Sequence, residues 1–141
     1  MLIVVTISFT IIGMNNSFVS DDMRSVTSEP TFRLTAERLV YKCGVRADLK
    51  GSKCLVDAII LYGTELCDGF CEIYRVVGAL RGLKEKSVMR EISYAISQAF
   101  DLPARLSALV GAHIPESHIH SGLVIAYLGK LFQNPNLTVY A

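Results

Sequence analysis

Between positions 75 and 90 the chain carries Arg75, Arg81, Lys84, Lys86 and Arg90 against one acid, Glu85. Five positive charges against one negative leave a local excess of four, in a protein whose formal net charge is only +1. Side chains of this type at this density suit phosphate contact, in which Lys and Arg displace the counterions of a nucleic-acid backbone. A solvated helix face is the ordinary alternative for any charge run. The near-neutral total means that a nucleic-acid partner is argued from where the charges sit and not from their sum.

Other chemistries find less support. The four cysteines, Cys43, Cys54, Cys67 and Cys71, form no Cys-x-x-Cys pair and no mirrored second pair, so their spacing fits no zinc pattern. Cys43 and Cys54 stand among apolar residues, where a free thiol packs as a small hydrophobe. The reading is of reduced thiols in a cytoplasmic protein, with a Cys67–Cys71 disulfide left open. His113, His118 and His120, with Glu116, lie in an expected loop without ligands at helical spacing, and read as a titratable surface. No glycine-rich phosphate loop, nucleophile elbow or paired catalytic carboxylate is present. Neither an enzyme, a cofactor nor a metal is expected.

The elements that must position the basic cluster are helical. Half of the 141 residues (51%) are hydrophobic and 19% are charged, enough to build one domain with a real core. Residues 1–30 read as an apolar N-terminal segment followed by a polar linker ending at Pro30. Residues 1–20 carry no charge, and their apolar run breaks near Gly13, too short to span a bilayer. A membrane-contacting or signal-like segment, an extended or helical appendage, and a true start at Met14 or Met23 are the three readings left open there. The domain proper is expected over 31–135, with a tail at 136–141.

Within it the apolar spacing is helical throughout. Thr35 is placed to cap a first helix, with Leu34 and Leu39 as its staple and Gly44 just past its end. A second helix is expected over 52–62, a third over 70–80 and a fourth over 86–100. Pro103 opens a short fifth that Gly111 closes, and Ser121 caps a last one reaching Phe132. The third and fourth have the layout of a helix-turn-helix. Gly78 and Ala79 allow a close approach, and Gly82 suits a turn that needs positive φ. Val77, Leu83, Val88 and Ile92 point inward.

Several segments then resemble the C-terminal DNA-binding (effector) domain of the sporulation initiation response regulator family of endospore-forming bacteria. Gly44, Val45, Leu49, Lys50, Gly51, Leu55, Ala58 and Ile59 match one family motif. Tyr74 falls where that family has Tyr-Pro. Val88, Arg90, Ala95 and Ile96 match its recognition helix, and the run from His120 to Leu131 is similar to its closing helix. The likeness covers about residues 34–132. It implies an all-α fold, a homodimer or a heterodimer with a full-length regulator, and transcription control through double-stranded DNA. Ser87, Met89, Ser93 and Tyr94 depart from the family's Arg, Glu, Arg and His. No acidic α/β receiver domain fits in the first 30 residues, so phosphorylation is not the expected switch, and a receiver's metal pocket is not carried over.

The expected DNA contacts are therefore Arg81, Lys84, Lys86, Ser87, Arg90, Ser93 and Tyr94, on or before a recognition helix at about 86–100. The competing expectation is a degenerate relative that keeps the scaffold and binds protein. Met89 and Tyr94 in place of charged readers favour it.

Overall fold

The computed structural model describes residues 19–134, and the readings for the apolar N-terminus and the tail lie outside them. Seven α-helices make up the described chain: α1 (Asp21–Ser28), α2 (Pro30–Lys42), α3 (Lys50–Gly63), α4 (Phe70–Arg81), α5 (Glu85–Ser97), α6 (Leu102–Val110) and α7 (Ser121–Gln133). A 3₁₀ turn at Glu116–His118 precedes the last, and no strand occurs among the described residues. The fold is all-α, as the apolar periodicity predicts.

α3 is the hub. Ten of its fourteen residues are buried, and α1, α2, α4, α5 and α7 all pack on it. Such a helix needs small residues wherever a neighbour crosses closely. A Cβ on Gly51 would collide with the Glu91 carbonyl of α5 and lie 2.9 Å from the Ala95 methyl. At the other end of α3, Gly129 of α7 receives the Tyr62 ring, and Gly63 receives Phe132. The core is continuous from Val19 to Phe132.

Two expectations at the N-terminal side are corrected. The polar stretch before Pro30 contains a helix where a linker was expected, and the packed unit includes Val19 and α1, ahead of residue 31. Ser20 caps α1 by accepting from the Met23 amide at 3.1 Å, and Val19, Met23 and Thr27 are buried. The first predicted cap is displaced in the same way. Glu29 caps α2 through Phe32 N at 2.8 Å, and Pro30 takes the first helical position, where its missing N–H costs nothing. Thr35 lies inside the helix with its hydroxyl on the Thr31 carbonyl, and Leu34 is half exposed, so no staple forms there. Gly44 does take the left-handed conformation at φ +83°, and its carbonyl accepts from Phe100 N at 3.0 Å, tying the end of α2 to the end of α5. α5 itself ends at Ser97, short of the predicted Phe100. His120, not Ser121, caps α7 through Nδ1, and Ser121 Oγ meets the Tyr74 hydroxyl at 2.9 Å.

All four cysteines are free thiols, so the Cys67–Cys71 bridge is not formed. Burial pushes the Cys43 thiol up to about 12 and that of Cys54 to about 11, the behaviour of inert packing groups.

Candidate nucleic-acid interface

α4 and α5 are joined by three residues, Gly82, Leu83 and Lys84. Gly82 ends α4 at φ +71°, ψ 34°, a conformation that would strain any residue with a Cβ. Both the Gly82 and Leu83 amides bond back to the Gly78 carbonyl, the second at 2.8 Å. Gly78 is required for a second reason: a Cβ there would run into the Leu83 carbonyl and touch Val88 Cγ2 at 3.5 Å. Val77, Val88, Ile92 and Ala95 are fully buried between the helices and α3. The close turn between α4 and α5 is thus built by Gly78 and Gly82, residues that the sequence singles out.

The opposite side of α5 faces solvent. Lys86, Met89, Arg90, Ser93, Tyr94 and Ser97 are all exposed, at the i, i+3, i+4, i+7 spacing of one helix face. Met89 is 41% exposed and Tyr94 52%, which sets two large, partly apolar side chains in the middle of this face. Ser87 is only half exposed, at its margin. Lys84 occupies the N-cap position, is exposed, and makes no side-chain cap bond, so no side chain closes the first turn of α5. Open first-turn amides and the dipole there favour an anion.

Arg81 does not belong with them. Its guanidinium grips the buried Asp57 of α3 with Nε–Oδ2 at 2.7 Å and Nη2–Oδ1 at 3.1 Å. Arg33 of α2 donates to the same carboxylate at 2.9 Å and to the Thr27 carbonyl at 2.9 Å. Asp57 is 2% exposed, and the bidentate bond raises the Arg81 pKa further, mainly through that hydrogen bond. One carboxylate therefore joins α1, α2, α3 and α4. Arg75 is drawn toward Glu85 across the turn, with Nε–Oε1 at 3.7 Å. The excess of four read along the sequence thins to Lys84, Lys86 and Arg90 as the cations of this surface without an acid partner among the described residues.

Asp57 was missed in the sequence, although a signal exists. It is the lone charge within the apolar run Leu55–Leu61, and a buried acid in such a run needs a cation from elsewhere. His113 and His118 are exposed in the loop before α7, and no group of three potential metal ligands occurs among the described residues. Among these residues, too, no helix is long and apolar enough to cross a membrane. No family model, curated protein or solved structure matches the chain at significance.

Proposed function

We propose that the chain is a DNA-binding transcription regulator of the sporulation effector-domain type, contacting duplex DNA through the exposed face of α5. The observation that carries this reading is the arrangement of Lys84, Lys86 and Arg90 along the first turns of α5, on a face that stays in solvent while Val88, Ile92 and Ala95 anchor the helix in the core, with no side chain capping its start. Lys84 and Lys86 contact phosphate. Arg90, one turn further, reaches a base edge, where an Arg on guanine O6 and N7 contributes about 1–3 kcal/mol of discrimination. Ser93 and Tyr94 lie next on the face and contribute shorter contacts, while Ser87 supports from the margin. Arg81 acts indirectly, by fixing the end of α4 on Asp57.

Fluorescence anisotropy of the full chain against short duplexes over a salt series tests the reading. The two phosphate-neutralising cations, Lys84 and Lys86, give a log–log salt slope of about −2. Saturable binding with a slope near that value supports it, and absence of binding at low salt rejects it.

A second reading has its own observation. Met89 and Tyr94 present large, partly apolar surface in the middle of the same face, as a protein-binding helix would. On that reading the chain pairs with a second copy or with a full-length regulator through α5. DNA binding and pairing then exclude each other, because both use one face.

A further inference from the structure

A second cationic surface lies away from α5. A half-open groove of about 800 Å³ runs between α2, the loop at 43–49 and the start of α3, and Arg81 closes one end. Lys53 lines it, and Lys53 stands two residues, or about 200° of helical rotation, from Gly51, the residue that touches α5. The groove thus opens on the side of α3 turned away from the proposed DNA face. Its size is that of a small-molecule site.

The chemistry of its walls specifies the occupant. Arg33 and Arg81 share the single carboxylate of Asp57 at one end. Arg38 of α2 and Lys53 of α3 are both exposed, and among the described residues neither has an acid partner. Glu37 is the one acid among the described lining residues, and it already leans on Arg33 at 3.8 Å. Tyr41 offers its ring, 76% exposed, beside an apolar floor of Val40, Val45 and Val56. An anion satisfies the cations, and a flat apolar body covers the ring and the floor.

We propose that this groove binds a small planar organic anion, its ring laid on Tyr41 and its carboxylate or phosphate held by Arg38 and Lys53. The site is independent of the DNA reading, since none of the α5 face residues lines it.

The test uses anilinonaphthalene sulfonate, a planar anion whose fluorescence rises on binding, with the full chain at physiological ionic strength. One saturable site is expected. Arg38→Ala/Lys53→Ala removes both charge-assisted contacts and weakens it at least about tenfold. Tyr41→Ala weakens it with the charges intact. Both variants change exposed residues, and their melting temperatures are checked against the parent. Displacement by phenyl phosphate or by benzoate supports the site, and the stronger competitor tells whether phosphate or carboxylate is the natural head group. Unchanged affinity in the variants overturns the proposal, as does equal binding of neutral phenylnaphthylamine. Displacement by duplex DNA as effective as by phenyl phosphate overturns it too, because the groove would then be a nucleic-acid surface.

Discussion

Arg81 and Arg90 are nine residues apart on consecutive helices, yet they do opposite things. Arg81 folds inward onto a buried carboxylate that Arg33 already contacts, so its charge holds helices together. Arg90 stands in solvent on α5 and has no acid partner among the described residues. Identical side chains in one basic run thus divide into structural and available cations. What divides them is a residue 24 positions upstream, Asp57. Local charge density overestimates a binding surface whenever a buried acid claims part of it.

The largest effect expected on this contrast comes from Asp57→Ala. Removing the shared carboxylate leaves two guanidinium groups facing each other in a partly buried site. Because each is 26–30% exposed, the cost falls at the lower side of the buried-pair range, about 2–4 kcal/mol by urea denaturation. A loss below about 1 kcal/mol would mean that the node is ornamental.

Gly78→Ala comes next. Its methyl meets the Leu83 carbonyl, and the turn must open, at a cost of about 1–3 kcal/mol. DNA affinity falls with it, since α5 is re-aimed. Unaltered melting and binding together would break the link between the turn and the site.

Smaller again is the effect of Lys84→Ala or Lys86→Ala. Each lowers DNA affinity about equally across sequences and flattens the salt slope by about one unit, with stability within about 0.5 kcal/mol of the parent. An unchanged slope in both would remove them from the interface.

A separate effect, confined to alkaline solution, concerns stability alone. The Cys43 thiol has an ordinary pKa near 9 and is held near 12 in the fold by burial, so the folded state keeps its proton longer. Its contribution is fully present below pH 9 and is lost as pH rises from 9 toward 12, about 1 kcal/mol by pH 10. Cys43→Ala should blunt that part of the denaturation profile, and an identical profile would assign the loss to other groups.

Much of this fold is legible in the sequence because periodicity and glycine chemistry are local. α3, α4 and α7 appear within a residue or two of their expected bounds, and Gly44, Gly78 and Gly82 sit where close approach or positive φ demands them. α1 was hidden by its composition. Serine, aspartate and threonine read as a linker, while the inward set of Met23, Thr27 and Val19 is too short to register as a face. Caps failed where two candidates competed: Glu29 with Pro30 prevailed over Thr35, and His120 over Ser121. The site was half legible for a different reason. Exposure of α5 follows from its own pattern, but the loss of Arg81 depends on tertiary pairing, which no single sequence displays.

The central claim is that α5 carries an available cationic face, distinct from the arginines held in the fold. The most direct measurement is a parallel DNA titration of the parent chain, Arg90→Ala and Arg81→Ala, each well below its melting temperature. The account predicts that Arg90→Ala melts like the parent and binds about tenfold more weakly, while Arg81→Ala melts earlier and keeps the parent's salt slope. The contradicting result is Arg90→Ala binding like the parent, or Arg81→Ala, still folded, flattening the salt slope by a full unit.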